Sequence, residues 1–215
     1  MTKKRIATMA TCIALVGAVA VGGTLALLTA PSNDVTNTFA VGEGFNDPKN
    51  ALVLNESPVT QLANGDYVSA AGSRVESNDY DQLVAGGTLF KDPKFDLTDG
   101  PTSWIVAYVD NIDSKLSGTL GDGWIKVTGT DTYTTDKLDK TITGGTYYIY
   151  KTPVTKDIDI PALFTQLTVG DDATGNLDAM NIKGCAVQAV GDGQNVDTAV
   201  DTVVKAAVGA MNAAK

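Results

Sequence analysis

The densest groupings of metal-ligating side chains in this sequence are two acidic loops. One carries Asp171, Asp172, Asn176 and Asp178, and the other Asp110, Asn111 and Asp113. Oxygen donors of this kind suit calcium, yet neither stretch has the EF-hand spacing with its closing Glu. Asp and Asn also serve turns through their own side chains, so these residues are read in that role and no metal ligand is assigned. Histidine is absent. That removes Ser/His and Cys/His nucleophile pairs and every His-based zinc site. There is no Gly-x-x-x-x-Gly-Lys-Ser/Thr loop for phosphates and no basic patch, and no pair of carboxylates can be placed in a cleft. No catalytic residue and no cofactor is assigned, and the chain is read as a non-enzyme. Aromatic side chains that could stack on a sugar ring are Trp104, Trp124, Tyr133, Tyr147, Tyr148 and Tyr150, each of which also suits a core.

The elements that would carry these residues are short. Apolar stretches recur between Gly, Asn, Asp and Pro: Ala51 to Leu54, Tyr67 to Ala71, Leu89-Phe90, Trp104 to Val109, Trp124 to Thr128, Tyr147 to Lys151, Leu163 to Val169 and Cys185 to Val190. Several are rich in β-branched and aromatic residues, and this spacing predicts an all-β sandwich. Alternation in Ile125-Lys126-Val127-Thr128 places Ile125 and Val127 inside and Lys126 and Thr128 in water. Leu163, Leu167 and Val169 share one face. Trp104 to Val109 is apolar on both faces, which predicts a central strand covered on both sides. From Asn195 the period changes: Val196, Val200, Val203, Val204, Ala207, Val208 and Met211 form one helical stripe. Asp197 and Asp201 near its start and Lys205 further along follow the helix dipole. A helix of about four turns over residues 196 to 213 follows, packed on the sandwich or available to a partner.

The N-terminal region reads as an export signal. Lys3-Lys4-Arg5 precedes an apolar run of 17 residues from Ile6 to Gly22. Thr24-Leu25-Ala26 then gives a small-x-small site, with cleavage after Ala26. The alternative is a retained membrane anchor, for which the run is at the short limit and rich in Ala, Gly and Thr. Cleavage would leave 189 of the 215 residues and take the net charge from −9 to −12. That charge argues against nucleic acid and anionic membranes as partners, leaving membrane contact only through the uncleaved leader. Cys12 leaves with the leader, so Cys185 stands alone; it suits a small buried apolar position in a strand, or pairing between chains. The expected division is 1–26 signal peptide, 27–48 extended segment, 49–194 sandwich and 195–215 helix.

These segments together resemble the TasA/camelysin family of exported Gram-positive proteins, in its gut-clostridial branch. The resemblance rests on Gly22-Gly23-Thr24-Leu25-Ala26, on Thr36-Asn37-Thr38-Phe39-Ala40-Val41-Gly42, on Lys91-Asp92-Pro93 before a central strand, on Tyr147-Tyr148-Ile149-Tyr150-Lys151, on Pro161-Ala162-Leu163-Phe164-Thr165 and on Ala186-Val187-Gln188-Ala189. Each motif alone is weak; their order over residues 22 to 190 is more specific. The tail departs from the pattern, with Gly191-Asp192-Gly193 and a Val/Ala-rich helix where an aromatic is expected. The resemblance implies a jelly-roll-like antiparallel β-sandwich with a C-terminal helix, secreted to the extracellular matrix or cell surface. It implies a leader removed by a dedicated signal peptidase, and a subunit of biofilm-matrix fibres whose partners are further copies of itself and other matrix proteins. In such fibres the freed N-terminal segment adds as a strand to the next subunit; here Val35, Thr36, Thr38, Phe39 and Val41 are the candidate donor residues. The alternative is that residues 27 to 45 form a first strand of their own domain. Some relatives are labelled metallo-endopeptidases, chemistry that a chain without His cannot supply by the usual zinc site. A cell-envelope adhesin or carbohydrate-binding sandwich is the alternative function.

Overall fold

The computed structural model describes Phe45, residues 51–190 and residues 194–213. The expected cleavage residues Thr24, Leu25 and Ala26 lie outside the described residues, as do the expected donor residues Val35, Thr36, Thr38, Phe39 and Val41.

The described fold is mainly β, in three sheets with one C-terminal helix. In chain order the strands are β1 (Leu52–Asn55), β2 (Val59–Gln61), β3 (Tyr67–Ser69), β4 (Thr88–Phe90), β5 (Lys94–Leu97), β6 (Ser103–Val109), β7 (Leu116–Gly118), β8 (Trp124–Thr128), β9 (Thr134–Asp136), β10 (Thr146–Tyr150), β11 (Gln166–Val169) and β12 (Ile182–Gln188), followed by α1 (Val196–Ala213). One five-stranded sheet runs β12-β6-β10-β8-β9 and the other β2-β3-β4-β11-β7, with β1 and β5 forming a two-stranded sheet. All pairings are antiparallel except β3 with β4, which meet in parallel at Tyr67 and Leu89.

The first sheet is buried on both faces, and β6 shows why. Its Ile105, Ala107 and Val109 face the second sheet and join Trp124, Tyr148 and Tyr150 with Leu89, Leu167 and Val169. Its Trp104 and Val106 point the other way and pack with Ile125, Val127 and Ile149 under Val196, Val200, Val203, Val204 and Ala207 of α1. An uninterrupted apolar run is what a strand needs when each face has its own core. Each buried valine of α1 contributes roughly 1.5–3 kcal/mol relative to exposure, so the helix is an integral layer.

Two expectations change. Ile125 and Val127 are buried as expected, and the core they join is the one beneath the helix. Lys126 therefore points toward the sandwich interior, and its side chain is only 12% exposed where water was expected. Its Nζ donates to Asp139 Oδ2 at 2.6 Å and to Thr143 Oγ1 at 2.7 Å. The stretch from Leu163 is only partly a strand. Leu163 is fully buried, but its N–H bonds Pro93 O and its carbonyl accepts from Gly121 N. Those loop contacts hold it outside β11, which begins at Gln166. Four strands, β2, β5, β7 and β9, were not anticipated.

The small sheet is seated on the first through one close approach. A Cβ on Gly184 of β12 would fall 2.1 Å from Phe95 Cε1 of β5, and Phe95 is fully buried. Gly184→Ala is expected to lower the unfolding free energy by about 1–3 kcal/mol through overpacking. Urea titration checks this, and in a Phe95→Leu background the cost of the added methyl should shrink.

Candidate functional site: an open sheet edge and its adjoining cleft

Three sheet edges of the described residues are guarded. At β2, Val59 N–H donates to Asn78 Oδ1 at 3.2 Å, and Asn78 Nδ2 donates to Ser57 O at 2.8 Å. β7 is continued by residues 140–142, through Leu120 N–H to Lys140 O and Ile142 N–H to Gly118 O. β9 lies against α1: Tyr133 N–H donates to Asp201 Oδ1, while Thr135 and Lys137 both bond Asp197. These are ways to blunt an edge against unwanted pairing.

The edge at β12 is different. β12 pairs with β6 over its full length, Ile182 opposite Val109 through Gln188 opposite Ser103. The bonds Asp110 N–H to Asn181 O and Ala189 N–H to Thr102 O fix the phase of the ladder. Antiparallel alternation then turns the backbone of Lys183, Cys185 and Val187 toward β6 and that of Ile182, Gly184, Ala186 and Gln188 outward. No backbone partner meets those outward groups among the described residues; only the Cys185 thiol approaches Ala186 O, at 3.6 Å. β1 lies alongside β12 without pairing to it. Lys183 is the one charged side chain on this strand. Cys185 is half-buried beneath α1, where burial pushes its thiol upward, so it is a packing residue here.

Beside the start of β12 lies a cleft of about 200 Å³, bordered by Leu54, Glu56, Glu76, Asn181 and Ile182. It adjoins a larger groove of about 630 Å³, sharing Asn78, Lys91 and Met180, where Leu83, Leu89, Leu116 and Leu167 are reached from the surface. The wall between is a polar network built on Lys91-Asp92-Pro93. Lys91 Nζ pairs with Glu56 Oε2 at 2.7 Å and lies 5.6 Å from the Tyr80 ring centroid. Asp92 accepts from Ser57 N–H, Ser57 Oγ and Arg74 Nη1. Arg74 Nη2 also donates to Asn55 O and Asp92 O. Burial, then the Glu56 and Asp92 charges, raise the Tyr80 phenol well above its usual value. The Lys-Asp-Pro motif thus holds β1, the Arg74 loop and the entry to β5 together, and the strand it directly precedes lies in the two-stranded sheet instead of being the central strand expected.

The acidic loops are occupied by their own backbone and lysines. Asp113 accepts from Lys115 N–H at 2.8 Å and Asp178 N–H at 2.9 Å, tying both loops together, and these bonds lower its pKa. Asp172 pairs with Lys115. Among the described residues no three His, Cys, Asp or Glu side chains are grouped to hold a metal. Of the aromatic candidates, Trp104, Trp124, Tyr148 and Tyr150 are buried. The indole N–H of Trp104 bonds Gln194 and that of Trp124 bonds Pro161 O. Tyr133 and Tyr147 are half-exposed. Tyr147 packs on Tyr108, which sequence reasoning passed over, with ring centroids 4.6 Å apart, and Tyr133 meets Tyr147 edge-on at 6.0 Å. The directly opposed pairing of Tyr147 with Tyr108 creates that platform. No family model, curated protein or solved structure matches the chain.

Two measurements check this wiring. Arg74→Ala leaves buried Asp92 without its cation. A cost of about 2 kcal/mol or more is expected by urea unfolding, below the about 3–5 kcal/mol of a fully buried pair because Arg74 is 31% exposed. The hydrogen bond from Lys126, then that from Thr141 N–H, holds Asp139 at about 2 against 3.8. A depressed folded-state value means that its stabilisation is complete above about pH 4 and disappears as pH falls toward about 2. Lys126→Met should flatten the fall of the melting temperature across that acid window.

Proposed function

We propose that this chain is a secreted, non-catalytic subunit of extracellular biofilm-matrix fibres of the TasA/camelysin kind. The leader is cleaved after Ala26, and the freed segment bearing Val35, Thr36, Thr38, Phe39 and Val41 adds as a strand to the next copy. The observation that carries this reading is the unguarded edge of β12. Seven residues whose alternate backbone groups meet no backbone partner among the described residues form a template on which an extended segment completes its hydrogen bonds. The leucine-lined groove beside it offers places for Phe39 and Val41 to enter. Phe45 packs against the sandwich core, so the donor segment lies N-terminal to a residue anchored on its own domain. Partners are further copies of the chain and, in the matrix, other secreted proteins.

The cell-envelope carbohydrate-binding reading draws on the three-tyrosine platform of Tyr108, Tyr147 and Tyr133. Sugar rings stack on such faces, and Lys183 lies opposite Tyr108 on the neighbouring strand.

Residues 27–215, with and without residues 27–45, separate the two readings by electron microscopy. Filaments from the longer protein alone are expected. Ala186→Pro sharpens the test, because the Ala186 N–H points away from β6 and proline there removes an outward donor while sparing the ladder. That variant should melt normally and fail to extend filaments. Unchanged filaments would contradict edge addition at β12, and a protein that stays monomeric but is retained on a glycan array would favour the carbohydrate reading.

A further inference from the structure

Glu56 is 5% exposed, and while Oε2 takes the Lys91 ammonium, Oε1 has no hydrogen-bond partner. A buried carboxylate oxygen without a donor costs about 1–3 kcal/mol, more when charged, so its retention at a cleft invites a ligand explanation. Glu56 lines the 200 Å³ cleft. Around it, Glu76, Ser77 and Asn181 engage in no side-chain hydrogen bond among the described residues, whereas Asn55 and Asn78 are committed to Arg74 and to Ser57 and Val59. Lys91 is already matched to Glu56, which leaves the Glu76 carboxylate as the uncompensated charge. Leu54, Pro93, Met180 and Ile182 supply an apolar wall.

We infer that this cleft is a subsite for a primary alkylammonium group, whose N–H donors satisfy Glu56 Oε1 and the Glu76 rim while its methylenes lie on Leu54, Met180 and Ile182. Lysine places an apolar stem and a charged head in this way elsewhere. An anion is disfavoured by Glu56 and Glu76, and a guanidinium would need a planar pair of acceptors that Glu56, already holding Lys91, does not present. The inference is independent of fibre formation, since residues 35 to 41 contain no lysine.

The test uses isotope-labelled protein and four probes: n-butylammonium, Nα-acetyl-lysine N-methylamide, and their neutral counterparts n-butanol and Nα-acetyl-norleucine N-methylamide. The ammonium probes should give saturable amide shifts at Glu56, Ser77 and Asn181 with millimolar affinity, and the neutral probes should not. Glu56→Gln should weaken binding at least tenfold. Should that variant not fold, Glu76→Gln on the exposed rim should weaken it several-fold. Binding of n-butylammonium alone identifies a free amine as the natural source, and stronger binding of the lysine derivative identifies a protein side chain. Equal shifts from charged and neutral probes, no saturable shift, or an affinity unchanged in a folded Glu56 or Glu76 variant would overturn the assignment.

Discussion

The burial of β6 on both faces organises everything else. A strand whose neighbours on one side are Phe95, Trp124 and the second sheet, and on the other the valines of α1, forces the sheet around it into the middle of a three-layer stack. The helix covers only one face of that sheet, so it cannot also close the flank. At β9 it leans over the edge and bonds it with Asp197 and Asp201. At the opposite flank β12 is left with half its backbone groups facing outward. Among the described residues this edge therefore has no further strand paired to it.

The polar network at Lys91 and Asp92 has a complementary role. Charges this buried need partners from more than one segment, and here Glu56-Ser57 and Arg74 come from two separate parts of the chain. The network fixes β1 beside β12 without letting the two strands pair, and so preserves a cleft where an ordinary sandwich would have closed its sheet. Gly184 acts in the same place by steric means, letting Phe95 sit directly on β12.

Much of this was legible in the sequence, for identifiable reasons. The six apolar residues from Trp104 to Val109 announced a strand with two covered faces, and the valine stripe from Val196 announced the helix. Both signals are free of Pro, the first an unbroken apolar run and the second a helical period that persists across Gly209. The short strands were not legible: Thr134–Asp136 and Leu116–Gly118 contain no apolar alternation, and the second pairs with a strand about fifty residues further on. Phe95 and Leu97 did alternate, but Lys94–Leu97 sits between an Asp-Pro and an Asp-Gly-Pro turn that masked it. Lys126 was misplaced because alternation reveals two faces without saying which faces the other sheet. The open edge was out of reach, since an unpaired edge is a property of what does not lie beside a strand. Tyr108 was hidden for a related reason, as its stacking depends on cross-strand register.

The central claim, that β12 receives a neighbour's strand, is most directly tested by residue-resolved amide hydrogen exchange before and after assembly. In the processed monomer, Lys183, Cys185 and Val187 should be protected by β6 while Ile182, Gly184, Ala186 and Gln188 exchange freely. On assembly those four should become protected together. Assembled material in which they continue to exchange as in the monomer would contradict the account.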